Sequence, residues 1–139
     1  MIERGDIIII KDYLKVNRPD KPNKIFIVIA NIDGSYSVLS AVTSQIYFNE
    51  NIKYGIIKFG NEGKLFCFPS GHIIGKNGFA FKKDTFIYLS YNIKRLTQEQ
   101  LSLYSIEIKD RINDDIYNEL IEFLYPAIKG KEKQHIHKI

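Results

Sequence analysis

The stretch KIFIVIANIDGSYSVLSAVTS, residues 24–44, decides the fold that we predict for this chain. Two runs rich in β-branched and aromatic residues, 24–31 and 35–44, flank the pair Asp33-Gly34. An Asp-Gly pair between such runs is a strong β-hairpin signal, because tight hairpin turns need residues that accept positive φ. The stretch therefore predicts two antiparallel strands whose outer ends, at its first and last residues, lie next to each other.

Further strands are predicted on both sides of this hairpin. Residues 5–13 contain four successive isoleucines, which indicates a strand buried on both faces. Residues 54–59 and 64–68 alternate around a glycine-bounded turn and predict a second hairpin. Shorter strands are predicted at 72–74, 79–81 and 85–91.

The segment between the first strand and the hairpin, residues 14–23, predicts a loop. Pro19 and Pro22 lie within it, and proline removes a backbone donor and restricts the residue before it. The loop is basic, and long loops in compact domains are often functional. We therefore expect functional residues near it.

Helical signals come only in the last part of the chain. Thr97 followed by Gln100 predicts a capped helix over 98–104, and Asn113 precedes a run with apolar residues at helical spacing. Strands first and helices later favour a mainly β (α+β) fold, a small antiparallel barrel packed by C-terminal helices. We predict one domain over residues 1–128, with the barrel over about 1–92 and helices over about 97–129, and a disordered basic tail over 130–139.

Composition limits the function classes without choosing one. The net charge is +4, but the four lysines and one glutamate of residues 129–139 carry +3 of it, so a basic composition does not by itself indicate nucleic-acid binding. The single cysteine, Cys67, excludes an internal disulfide and is predicted to be a buried thiol. No stretch is long and apolar enough to cross a bilayer and no signal peptide is recognised, so a cytoplasmic protein is expected.

The motifs of residues 4–44 resemble those of the MazF/PemK family of toxin–antitoxin ribonucleases. Arg4-Gly5-Asp6-Ile7 opens the first strand, a proline-containing loop follows, Lys24 begins an apolar strand, and Ala41-Val42-Thr43-Ser44 ends a later one. The rest of the chain matches in outline. The resemblance implies an SH3-like barrel, a homodimer, single-stranded RNA as substrate and an antitoxin protein as partner.

The resemblance also implies a catalytic set. In metal-independent cleavage, a ribose 2′-hydroxyl attacks the adjacent phosphate and leaves a 2′,3′-cyclic phosphate, so no cofactor is expected. Lys24 would supply positive charge with the assistance of Arg18, and Thr43 or Ser44 would donate a hydrogen bond to a non-bridging oxygen.

Three further residues are expected to bind the substrate. Tyr13 and Tyr47 flank the expected groove and are candidates for stacking on unpaired bases. His72 is the one histidine outside the C-terminal tail, and its imidazole suits proton transfer near neutral pH.

One position departs from the family pattern and leaves alternatives open. The family's catalytic arginine, followed by proline, is replaced by Lys24-Ile25, and lysine lacks the bidentate grip of a guanidinium. Either Lys24 acts, or Arg18 of Arg18-Pro19 takes its place, or the site is inactive. The alternative function is a non-catalytic SH3-like barrel that binds a protein partner or nucleic acid; a structural or accessory protein of a mobile element is a third.

Overall fold

The computed structural model describes residues 2–40, 42–43, 52–59, 63–88, 93–130 and 132–139, with the backbone alone at Val42, Thr43 and Phe59. The strands in these ranges are β1 (Asp6–Ile10), β2 (Lys24–Ile32), β3 (Ser35–Ser40), β4 (Val42–Thr43), β5 (Gly55–Phe59), β6 (Gly63–Phe68), β7 (Thr85–Tyr88), β8 (Ile93–Leu96) and β9 (Ile106–Arg111). The helices are α1 (Gln98–Ser102), α2 (Asp114–Leu124), a 3-10 turn (Tyr125–Ala127) and α3 (Glu132–His135).

The strands form two antiparallel sheets, which confirms the predicted mainly β fold with C-terminal helices. One sheet has the order β8-β3-β2-β1-β9 and the other the order β4-β7-β6-β5. Consecutive strands β3 and β4 lie in different sheets, so the chain passes from one sheet to the other around residue 41. No ladder within the described ranges closes the two sheets into one barrel.

The central hairpin has the predicted turn. Asp33 and Gly34 have φ of 51° and 84°, and the Asn31 side-chain oxygen accepts a hydrogen bond from the Gly34 amide at 3.1 Å. The second run differs from the prediction, because β3 ends at Ser40, and Val42 and Thr43 pair with β7 instead of β2.

Strand β1 is buried on both faces, as its isoleucines predict, and so is most of β2. Ile7, Ile27 and Ile29 pack into one apolar cluster with α2 and the second sheet. Alternate residues of the same strands pack into a second cluster with α1. The pairing of β2 with β3 is irregular between Val28 and Ala30, and the carbonyl of Ile29 accepts a hydrogen bond from the Tyr117 hydroxyl at 3.0 Å. A buried tyrosine of α2 thus satisfies a backbone group at the irregularity.

Strand β9 is absent from the sequence-based prediction. It pairs with β1 at the edge of the five-stranded sheet, inside the range expected to be helical. The segment Ile106–Arg111 does alternate apolar and charged residues at its start, the period-2 pattern of a half-exposed strand. The hairpin β5–β6 and the helix capped by Thr97 are confirmed, whereas 72–74 and 79–81 form a single bridge between Ile73 and Ala80.

The C-terminal segment is ordered where the sequence predicted disorder. Ile136, which follows α3, is 1% exposed and joins the main apolar cluster. The amide of Ile139 donates to the Asn118 side chain at 2.7 Å. Anchoring by one apolar side chain outweighs the basic composition on which the prediction relied. Across the described ranges, no helix is both long and apolar enough to span a membrane.

Candidate functional site

A groove of about 540 Å³ lies between the loop that follows β1 and the segment that leads into β7. Nonpolar residues, including Ile25, Phe79 and Phe81, form part of its lining. Six cationic residues line it, and none of its described lining residues is acidic: Arg18, Lys21, Lys24, Lys82, Lys83 and Lys109. The groove therefore suits a ligand that carries several negative charges.

The first wall of the groove, residues 12–24, is a loop closed at its neck. The Leu14 amide donates to the Pro22 carbonyl at 2.7 Å, and the Asp12 amide donates to the Asn23 side-chain oxygen at 3.0 Å. Between these ties the hydrogen bonds are local, as in the Arg18 amide to the Leu14 carbonyl at 2.6 Å. The two prolines predicted this irregular backbone.

The second wall, residues 75–85, is organised around a buried carboxylate. Asp110 of β9 is 6% exposed and accepts hydrogen bonds from the amides of Asn77 and Phe79 at about 3 Å and of Arg111 at 2.7 Å. Burial alone would raise the pKa of Asp110, but the donors of Phe79, Arg111 and Asn77 lower it below its ordinary value. The charged carboxylate thus fixes the start of this wall.

Gly75 is required by this close approach. A Cβ atom at this position would lie 2.0 Å from Asp110 Oδ2 and 2.7 Å from the Cβ of Phe79. No larger residue fits without moving the carboxylate or the loop.

A β-bulge places two consecutive residues of β9 at this wall. Ile7 pairs with Asp110 and Ile8 with Ile108, so Lys109 is the extra residue. Lys109 lines the groove while Asp110 binds the adjacent loop. Bulges commonly redirect a side chain in this way, and a regular strand would send the two to opposite faces.

Positive charges in the groove are only weakly neutralised. Arg18 is 3.9 Å from Asp20 and Lys109 is 3.7 Å from Glu107, and both pairs are solvent-exposed. Partial burial, followed by the charges of Lys94 and Arg18, lowers the pKa of Lys24 below its ordinary value. Lys24 therefore lies in a positive field that a bound anion would relieve.

The structure brings together two of the predicted catalytic residues, Arg18 and Lys24, in one lining. The backbone of Thr43 pairs with Thr85, a groove residue, so β4 runs beside the groove. The side chain of Thr43, and all of Ser44 and Tyr47, lie outside the described residues.

Tyr13 and His72 are not among the groove residues. The Tyr13 ring packs edge-on against Phe26 at 5.1 Å, with the Lys94 ammonium 5.8 Å from its centroid. The exposed His72 stacks on Tyr54 at 4.5 Å. Tyr54 in turn donates to Glu119 at 2.9 Å.

Sequence reasoning missed the residues of the second wall. Lys82 and Lys83 are an adjacent basic pair shortly before strand β7. The pair could have been assigned to the site if the pairing of β7 with β4 had been predicted. Lys109 could not be found, because β9 and its bulge were not predicted. Phe79 looked like a strand residue, and only the fold places it in a groove.

The described residues contain no group of three or more His, Cys, Asp or Glu side chains placed to hold a metal ion. Cys67 is buried, and burial, followed by the charge of Asp84, raises its pKa to about 11, so the thiol is unreactive as predicted. Comparison of the chain with protein-family models, curated proteins and solved structures finds no match.

Proposed function

We propose that this protein is a MazF/PemK-like endoribonuclease that binds single-stranded RNA in the basic groove and cleaves it without a metal. The observation that carries the proposal is the convergence of six cations on one groove that no described acidic residue lines. Phosphate neutralisation supplies most of the non-specific affinity for nucleic acids. The aromatic residues that line the groove favour a strand with unpaired bases over a duplex.

In the proposed reaction the ribose 2′-oxygen forms a bond to phosphorus as the bond to the 5′-oxygen breaks. The products are a 2′,3′-cyclic phosphate and a 5′-hydroxyl end. Arg18 stabilises the charge that develops on the non-bridging oxygens. Lys24, whose lowered pKa makes it a stronger acid than an ordinary lysine, protonates the leaving 5′-oxygen, and solvent takes the 2′-hydroxyl proton.

The deciding test is incubation of purified protein with a long single-stranded RNA in EDTA. We expect discrete fragments that end in cyclic phosphate. Lys24→Ala is expected to abolish cutting, whereas Lys58→Ala removes an exposed lysine of β5 that does not line the groove and should cut like the parent. Cutting that survives in Lys24→Ala but is lost in Arg18→Ala would keep the role of Arg18 and contradict the role of Lys24 as the general acid.

RNA affinity measured over a pH series distinguishes Lys24 from an arginine, the residue that the family has at this position. Because its pKa is lowered, Lys24 loses its charge at a lower pH than an ordinary lysine, so RNA affinity falls as the pH rises through that range. In Lys24→Arg the guanidinium stays charged, and we expect the alkaline decline to shift to higher pH. Identical alkaline profiles would show that Lys24 does not contact the phosphate.

A second candidate, RNA binding without cleavage, is favoured by the absence of carboxylate and imidazole side chains from the described groove lining. Binding that is equal in Lys24→Arg and the parent, with no fragments from either, would support this alternative. We further propose that an antitoxin with an acidic segment occupies the same groove and that the active form is a homodimer. Competition between such a peptide and RNA tests the first point, and sedimentation tests the second.

A further inference from the structure

The backbone of one aromatic residue in the groove, Phe79, is held in place by several hydrogen bonds. Phe79 is half-buried and lines the groove. Its amide donates to Asp110 Oδ2 at 3.0 Å, and its carbonyl accepts from the amides of Ile74 at 2.8 Å and Gly75 at 3.1 Å. Three backbone hydrogen bonds therefore fix the Cα–Cβ direction of this one residue.

The ring itself is supported from behind. Phe79 packs edge-on against Phe81 at 5.2 Å and 82°, and Phe81 packs against Phe68 at 5.8 Å within the core. In an edge-on pair the rim of one ring contacts a face of the other. Each ring therefore keeps at least one face that its partner does not contact. Lys82 and Lys83 follow along the same wall, so two aromatic residues are followed directly by two positive charges.

We propose that Phe79 is the base-binding residue of the groove, and that it stacks on one unpaired base of a strand whose phosphates contact the surrounding cations. This inference rests on the proposed binding of single-stranded RNA and names the part of the ligand that the second wall recognises. Stacking on a ring that is already fixed costs little conformational entropy, so the contact contributes to affinity. Because every base has a flat face, the contribution depends little on which base is present. Asp110 acts through Phe79 as a positioning residue.

Two ligands separate stacking from charge. Single-stranded RNA has phosphates and bases, whereas inorganic polyphosphate has phosphates alone. Phe79→Leu keeps an apolar side chain against Phe81 but removes the aromatic face, and Phe79→Tyr keeps the face. We expect Phe79→Leu to bind RNA roughly tenfold more weakly and polyphosphate as the parent does, while Phe79→Tyr binds both as the parent does. Lys21→Ala, the charge control, should weaken both ligands together.

A second measurement detects stacking directly, and its first arm uses the parent protein alone. A uridine oligonucleotide with one 2-aminopurine is titrated with the parent protein, because stacking on an aromatic ring quenches the fluorescence of this base. Quenching that is lost in Phe79→Leu supports the proposal. If Phe79→Leu lost affinity for RNA and polyphosphate equally, or if the parent bound the oligonucleotide without quenching, Phe79 would not be the base-binding residue. The proposal that the groove binds RNA would be unaffected by either result. Polyphosphate binding without any RNA binding by the parent overturns the proposed function itself.

Discussion

The two walls of the groove are built in opposite ways. The first wall, residues 12–24, carries Arg18 and Lys21 on a loop that is held by two ties at its neck and by local hydrogen bonds, and Lys24 at the start of β2. The second wall, residues 75–85, begins on a loop whose amides converge on the buried carboxylate of Asp110. Two of the six groove cations lie on the exposed loop and Lys24 follows at the start of β2, whereas the aromatic residues Phe79 and Phe81 lie on the anchored wall.

The difference indicates that the first wall contributes mainly charge and the second wall mainly a fixed surface. Electrostatic attraction falls off gradually with distance, so cations on an exposed loop attract phosphates without exact placement. Stacking and contacts with a base need a fixed surface, and a buried charged acceptor fixes the backbone that carries it. We therefore expect substitutions in the second wall to cost stability and those in the first to change affinity and its salt dependence.

The largest effect is expected from Asp110→Ala. Removal of the carboxylate leaves the amides of Asn77 and Phe79 without their acceptor in a partly buried position. We expect a loss of about 3 kcal/mol in the free energy of unfolding, measured by urea denaturation. Glu107→Ala, on the same strand but exposed, should change it by less than about 0.5 kcal/mol. Equal losses in the two variants would mean that Asp110 does not organise the second wall.

Acidification should also lower the free energy of unfolding through Asp110, but by less than Asp110→Ala does. The pKa of Asp110 is lower in the folded protein than its ordinary value of 3.8, so its contribution to stability is present above that value and is lost as the pH falls through the folded pKa. Unfolding free energies measured from about pH 6 to about pH 2 should fall less steeply in Asp110→Asn than in the parent. Parallel curves would contradict a lowered pKa at this site.

Much of the fold follows from local signals in the sequence. The Asp33-Gly34 turn, the hairpin β5–β6 and the cap at Thr97 each depend on residues within a few positions of one another. Strand β9 pairs with β1 near the start of the chain, and the C-terminal segment contacts Asn118 of α2, 21 residues before Ile139. These partners lie beyond the reach of a local pattern, and the short alternation at the start of β9 was not recognised as a strand.

The same distinction applies to the candidate site. Lys24 was predicted because it begins the apolar strand at the position of the family's arginine, and Arg18 because Arg18-Pro19 could take its place. Lys109 and Asp110 reach the groove through a bulge in a strand that the prediction missed, and Phe79 is fixed by an acceptor 31 residues away. The first wall could therefore be predicted from the sequence, whereas the second could be recognised only once the strands were paired.

In the first wall, Arg18→Ala should change affinity and leave stability nearly unaltered. We expect RNA binding about fivefold weaker at about 0.1 M salt, with the slope of log K against log salt reduced by about 0.7, the value for one phosphate contact on a single strand. Fluorescence anisotropy over a salt series measures both. Lys58→Ala should leave the slope unchanged, and an equal reduction there would indicate a general effect of net charge instead of a groove contact.

The smallest effect is expected from Asn23→Ala, which removes the acceptor of the Asp12 amide at the neck of the first wall. Because that amide is exposed, water can replace the lost partner, and the free energy of unfolding should fall by less than about 1 kcal/mol. RNA affinity should fall less than in Arg18→Ala, since the cations stay on the loop and need no exact placement. If Asn23→Ala weakened RNA binding as much as Arg18→Ala at unchanged stability, the first wall would need a defined shape as well as charge. The contrast between the two walls would then be one of degree, and the backbone between Asp12 and Asn23 would belong to the binding site.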